Sequence, residues 1–312
     1  AGTGSNGMSG DNSSGNDGEE SGSSTACGED SFPKAFYEFN ETSGNSTLTS
    51  PKEDGSPGAE KALLAGNFSW SPHTGRHPGA VKLHGGEVQF RIGNGNVSKE
   101  DSFTAMLWMD TLEELLPATG PSIMLPVLYA AVPTRDIPAT DTTPAHTAFA
   151  GFHITVNSTS RTVTGTIFSN SSGTVHSVTS LNPLPVQGFH HVALSFNLTS
   201  RALQLFVNGS LQAERMQSEY TVMTEDTGYL GRERPLNGTG AGEGGARWLG
   251  FVDEFRYYSR PFSQEDLWRV MDHEPLCNNN ASAGTGSNGM SGDNSSGNDG
   301  SDYYPSDTGS SS

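Results

Sequence analysis

Ten short segments between Val81 and Tyr258 alternate apolar and polar residues with a period of two: 81–83, 87–92, 103–110, 149–156, 162–168, 175–178, 190–196, 202–207, 228–230 and 250–258. That period sends successive side chains to opposite faces, so each segment suits a strand with one face against a core. Gly, Pro and Asn cut the segments apart, and many short strands between such turns predict an all-β antiparallel sandwich. Helix is confined to 263–272. There Ser263 can cap the start, Gln264, Glu265 and Asp266 suit its positive end, and Leu267, Trp268, Val270 and Met271 supply an apolar side.

The stretch from Leu112 to Thr147 is less regular. It holds Pro117, Pro121, Pro126, Pro133, Pro138 and Pro144 among short apolar runs. A residue without an N–H interrupts a ladder, so this part is expected to form strand fragments joined by long loops.

Both ends of the chain lack the apolar residues that a core requires. Residues 1–26 and 278–312 are mostly Gly, Ser, Asn and acids, and are read as extended low-complexity tails around one domain at 27–277. The string AGTGSNGMSGDNSSGNDG at 1–18 recurs without a change at 283–300. An exact match that includes Met8 and Met290 makes the tails equivalent linkers between similar modules, or else marks slippage in a repetitive gene. Tyr303 and Tyr304 are the bulky pair of the second tail and the candidate anchor into a neighbouring subunit.

Cys27 and Cys277 are the two cysteines of the chain and stand at the junctions between tails and domain. Their placement suggests a disulfide clasp, with two free thiols as the alternative. The compartment can be read from the asparagines. Twelve of twenty head an Asn-x-Ser/Thr sequon: Asn12, Asn40, Asn45, Asn67, Asn96, Asn157, Asn170, Asn197, Asn208, Asn237, Asn280 and Asn294. Composition alone would give about five. Covalent N-glycans and a secreted or cell-surface location are therefore expected, and the chain's opening on Ala1 reads as a processed start.

The net charge of −18, with 17 basic residues, argues against nucleic acid and anionic membranes, both of which need clustered positive charge. No apolar run is long enough to insert in a bilayer.

The C-terminal third carries a series of motifs: GFHHVALSF at 188–196, LQLFVNGS at 203–210, GYLG at 228–231, and WLGFVDEFRYY at 248–258 followed by RPFSQEDL at 260–267. In this order they resemble the successive hallmark strands of the laminin-G-like, concanavalin-A-like superfamily, which includes the pentraxin-like domains. FTAMLWM at 103–109 and the segment 80–92 resemble strands that precede them in the family. The resemblance spans about 32–275, is weak across 112–147, and implies a jelly-roll sandwich with neighbouring termini.

Some members of this wider class are glycosidases, whose two or three carboxylates alternate along one strand. No such pattern occurs here. Glu113-Glu114 and Asp253-Glu254 are adjacent, so an extended backbone would point each pair to opposite faces, and no enzymatic activity is expected. His190 and His191 belong to a strand motif and suit packing rather than zinc. His73 and His77 are bracketed by prolines that prevent a helix from aligning them. No metal or other cofactor is expected, although calcium on the loop acids Asp136, Asp141 and Asp226 stays open, since related domains bind it on loops. Trp108, Trp248 and Trp268 suit packing, and Trp70 is undecided.

Two functions follow as expectations. The first is a structural subunit of an extracellular glycosylated assembly, a filament, surface hair, sheath or coat, self-associating through its tails. The alternative is an adhesion module that binds carbohydrate or protein.

Overall fold

The computed structural model describes residues 31, 33–41, 43–48, 61–71, 79–92, 102–111, 122–137, 146–168, 175–186, 188–217, 227–232, 246–274 and 276, with the backbone alone at 48, 111, 132–137 and 146–149. All of them belong to the larger compact unit, 1–277. Cys27, Cys277, Tyr303 and Tyr304 lie outside the described residues, as do both copies of the repeat.

The strands run in chain order as β1 (Ala35–Tyr37), β2 (Ser46–Leu48), β3 (Lys61–Ala65), β4 (Phe68–Trp70), β5 (Val81–His84), β6 (Glu87–Arg91), β7 (Phe103–Thr111) and β8 (Met124–Ile137). After these come β9 (His146–Asn157), β10 (Val163–Phe168), β11 (Val175–Thr179), β12 (His190–Asn197), β13 (Ala202–Val207), β14 (Ser210–Met216), β15 (Thr227–Leu230) and β16 (Leu249–Tyr258), then helix α1 (Gln264–Met271). They form two antiparallel sheets. Sheet A has the order β14-β13-β12-β7-β16-β5-β4, with β1 also paired to β16, and sheet B the order β11-β10-β9-β8-β15-β6-β3-β2. Neighbours such as β7 and β16, or β8 and β15, are far apart in sequence, which is the crossing pattern of a jelly roll.

Each sheet turns its alternate apolar residues inward. Phe103, Leu107, Val192, Leu194 and Phe255 of sheet A meet Val88, Phe90, Leu128, Phe152 and Ile154 of sheet B, all of them buried. Aromatic pairs bridge the two layers, Phe103 on Phe152 at 4.6 Å and Phe90 on Phe255 at 4.3 Å between ring centres. Gly165 on β10 leaves the space that the Leu194 side chain of the opposite sheet fills.

The 112–147 region departs from the expected loops and fragments. The described part is a single 14-residue strand, β8, which forms a long hairpin with β9. Its two breaks in register fall between Pro126 and Leu128 and between Pro133 and Arg135. The prolines therefore occupy irregularities in a continuous strand instead of ending it.

A second, smaller core lies on the outer face of sheet A. Leu267 and Val270 of α1 pack there against Met106, Ala193, Phe206, Tyr258 and Phe262. This explains why β12 is buried along nearly its whole length, since one face meets sheet B and the other meets the helix. Ser263 caps α1 as expected, within a full capping box closed by Asp266. Ser263→Ala should lower stability by about 1 kcal/mol. Thermal unfolding of the variant checks this, with a fall of a few degrees expected.

The first and last described stretches of the domain meet beside α1. The Lys34 amide donates to the Tyr257 carbonyl at 2.7 Å, and Arg256 lies over the Phe36 ring at 4.2 Å. Ser31 and Leu276, at the two limits of the described domain, line one small hollow with Pro33, Phe36, Arg256 and His273. Backbone irregularity in β16 makes the joint. Its register shifts between Asp253 and Arg256, and Glu254 adopts a φ of 47°. The Asp253-Glu254 pair is consequently not divided between two faces of a regular strand. Both residues are buried, and the Arg256 guanidinium donates to Glu254 at 3.2 Å and to the Val270 carbonyl at 3.3 Å.

Candidate functional site

Helix α1 covers only part of the outer face of sheet A. Beyond it, a cross-strand row stays half-buried and open. Phe251 on β16 pairs with Lys82 on β5 on one side and with Asp110 on β7 on the other. Directly paired residues of antiparallel strands share a face. Val252 points to the core, so the three side chains of the row point outward. Phe189 completes the row, because the next residue, His190, pairs with Met109. The Phe189 and Phe251 rings approach to 6.0 Å at 50°, spanning the strand that carries Asp110. On the far side of Phe251, the Lys82 ammonium stands 5.3 Å from the ring centre.

Asp110 is the charged centre of this arrangement. Burial pushes its carboxyl above the usual carboxylate range, partly opposed by the nearby His190. His190 is itself held below the ordinary histidine range, first of all by burial. It sits 3.4 Å from the Asn208 amide through Nδ1. Among the described residues, no hydrogen bond or ion pair reaches the Asp110 carboxylate. Neighbouring His191 is deeper, edge-on to Trp108 at 5.2 Å, and its pKa is lowered to about 3 by burial and then by Arg256. Both histidines thus pack in the sheet as their strand motif suggested.

The described sequon asparagines all lie at turns or strand ends. Asn40, Asn45, Asn67 and Asn208 are exposed, while Asn157 and Asn197 close β9 and β12 and are half-buried. The Asn157 side-chain oxygen accepts from the Thr159 and Ser160 amides, and Asn197 accepts from Ser200, which fixes both turns. Asn208 starts the β13–β14 turn with a φ of 50° and accepts the His191 amide at 2.9 Å. Asn12, Asn96, Asn170, Asn237, Asn280 and Asn294 lie outside the described residues.

The remaining candidates divide. Trp248 and Trp108 are packed, and Trp70 donates to the Gly44 carbonyl at 2.9 Å. Trp268 packs on one side only and is 50% exposed. Its indole lies against Gly209, whose φ of 71° and lack of a Cβ make room for the ring. Among the described residues, no three His, Cys, Asp or Glu are grouped to hold a metal ion. Asp136 lies in β8 where the backbone alone is described, and Asp141, Asp226, His73 and His77 lie outside the described residues. None of the described helices is long and apolar enough to cross a membrane.

The sequence matches the family described as the concanavalin A-like lectin/glucanases superfamily over residues 84–267, more than half of the chain. The chain belongs to this superfamily. The match runs from β5 to α1 and so includes every member of the outer-face row except Lys82, two residues before its start. No curated protein matches the chain.

Among solved structures, the binding domain of botulinum neurotoxin serotype D is similar with a TM-score of 0.52 at 10% identity, covering 79% of this chain and 53% of that one. The receptor binding domain of botulinum neurotoxin D gives 0.53 at 10% identity, with 78% and 53% covered. The binding domain of Paraclostridial Mosquitocidal Protein 1 gives 0.52 at 9% identity, with 78% and 52% covered. At such identities the likeness is one of fold. The chain spans about half the length of these structures.

The outer-face residues were missed in the sequence because Asp110 and Phe251 look like ordinary strand positions. The available signal was an aromatic residue at the outward position of one strand and an acid at the outward position of another, which only the β7–β16 pairing brings together.

Proposed function

We propose that this superfamily member is a non-catalytic, N-glycosylated extracellular binding module whose contact surface is the outer-face row Lys82, Phe251, Asp110 and Phe189. The observation that carries this reading is the half-buried row itself, where two aromatic rings and a carboxylate that no described donor reaches stand side by side, next to the part of that face that α1 covers. The similar toxin structures are binding domains, which supports a binding role on this fold. None of the six described sequon asparagines belongs to the row, although Asn208 stands beside His190 at its β12 end. The described carboxylate pair Asp253 and Glu254 is buried, which supports a role without hydrolysis.

The domain, produced in secreting eukaryotic cells, should bind selectively on an array of glycans and extracellular proteins. Phe251→Ala should weaken that binding at least tenfold, or about 1.4 kcal/mol. An array that stays silent, or a variant that binds equally well, would overturn the proposal.

A second reading is favoured by the exact recurrence of 1–18 at 283–300. Here the chain is a structural subunit of a filament, surface hair, sheath or coat. The tails 1–26 and 278–312 link neighbours, Tyr303 and Tyr304 anchor them, and a Cys27–Cys277 disulfide closes each domain. The shared hollow of Ser31 and Leu276 supports the clasp, because it brings the chain on both sides of the domain to one place. Negative-stain images should show assemblies that disappear when both tails are removed. A non-reducing peptide map should recover the two cysteines in one linked peptide, and two alkylated thiols would refute the clasp.

A further inference from the structure

Asn157 heads the sequon Asn157-Ser158-Thr159 and closes β9. Its side chain is held in one orientation. The Thr159 and Ser160 amides approach its oxygen at 3.0 and 2.8 Å, and because both are donors they fix which end of the side-chain amide faces the turn. The nitrogen therefore points toward the start of β8. There it donates to the Ser122 hydroxyl at 2.6 Å and lies 3.7 Å from the Met124 sulfur.

Met124 pairs directly with Asn157 across the β8–β9 ladder, so the two side chains share a face of the sheet. The neighbouring pair, Leu125 and Val156, points to the core, which places Met124 and Asn157 on the outer face of sheet B. Met124 is 39% exposed, and Ser122 is exposed beside it. Asn157 thus aims the nitrogen of its sequon at an exposed apolar side chain. The nitrogens of Asn40 and Asn208 face polar ones instead, Glu38 at 2.9 Å and His190 at 3.4 Å.

We infer that Asn157 carries an N-linked glycan whose first N-acetylglucosamine is seated on Met124, which makes the sugar a structural part of the β8–β9 hairpin. The inference rests on the glycosylated extracellular reading proposed above, and names one site of it and what the sugar does there. Attachment draws on a lipid-pyrophosphate oligosaccharide donor. The bond from sugar C1 to the pyrophosphate oxygen breaks, its electron pair leaves with the pyrophosphate, C1 bonds the Asn157 nitrogen, and that nitrogen releases one of its two protons. The N–H that remains is free to keep its bond to Ser122. A group joined to a nitrogen 3.7 Å from the sulfur meets the Met124 side chain. An unbranched thioether suits this contact, since it adapts its shape to the C–H face of a sugar. The seat also lies ahead of the register break between Pro126 and Leu128, so it holds the short stretch of β8 that the break separates from the rest of the hairpin.

The test uses the domain secreted from glycosylating cells with methyl-labelled methionine. Peptide mapping after enzymatic release of N-glycans in isotopically heavy water is expected to find Asn157 modified. Thr159→Ala removes the sequon but keeps Asn157 and the backbone amide that holds it, while Thr159→Ser keeps the sequon and controls for the side chain. Thr159→Ala should lower Tm by about 2–4 °C relative to Thr159→Ser, the fall that loss of one modest contact gives in a domain of this size. It should also shift the Met124 methyl resonance. In a Met124→Ala background the two Thr159 variants should melt together. A bare Asn157, an occupied one whose loss leaves Tm and the Met124 methyl unchanged, or an equal fall in the Met124→Ala background would each overturn the inference. Should Asn157 be bare while other sequons are occupied and array binding depends on Phe251, the inference fails and the wider reading stands. If no sequon carries sugar, the glycosylated reading falls as well, whatever the array reports.

Discussion

Acidification from pH 7 to pH 4 is expected to remove most of the stability of this domain. Burial lowers the pKa of His153 to about 4 and that of His191 to about 3, with Arg256 adding to the second. An unfolded histidine titrates near 6.5, so the native state binds fewer protons than the unfolded state below that value. The stability is complete above pH 6.5 and is lost as pH falls toward the native pKa. By pH 4 the loss is about 3 kcal/mol for each ring. Two such losses approach the whole stability of a typical domain, about 5–15 kcal/mol. His153 packs between Tyr129 and Phe168 on the outer face of sheet B, and His191 against Trp108 on the outer face of sheet A, so their effects should be separable. Urea midpoints measured at pH 7.5, 5.5 and 4.5 should fall steeply, and His153→Gln with His191→Gln should flatten the slope. A stability that stays level between pH 7 and 4.5 would contradict the burial of these rings.

Arg256→Met is expected to cost about 3–5 kcal/mol, because it leaves a buried carboxylate without its guanidinium. The Arg256 and Glu254 side chains are only 8% and 4% exposed. The same guanidinium holds the Val270 carbonyl of α1 and covers Phe36 of β1, so its loss loosens the joint between the first and last described stretches of the domain. A fall in Tm of roughly 10 °C is expected for a domain of this size. Combining Arg256→Met with Glu254→Gln should recover part of the loss, since the charge that needed compensation is then gone. A single variant with unchanged Tm, or a double variant less stable than the single by the full cost of a second independent site, would show that the pair does not act as a unit.

The strands of the core were legible because β7, β12 and β16 alternate strongly and end in turn residues. Short strands were not. β1, β2 and β4 have three residues each, too few to show a period, and β14 is an edge strand with no fully buried position. β8 was obscured by prolines whose place in register breaks only the pairing reveals. The capped helix was read from Ser263 and Asp266, but its face was not. Trp268 looked like a packing residue because it belongs to an apolar run, although half of it faces solvent. The outer-face row was invisible for a related reason. Lys82, Asp110, Phe189 and Phe251 come from four segments, and no local pattern reports which outward positions of distant strands become neighbours.

Hydrogen–deuterium exchange of the domain, alone and saturated with a ligand selected on the array, tests the central claim most directly. Binding at the row predicts added protection along β5, the end of β7, the start of β12 and the start of β16, with α1 and the strands of sheet B unchanged. Protection confined to the turns at the ends of the sandwich, with those four segments exchanging as before, would contradict it.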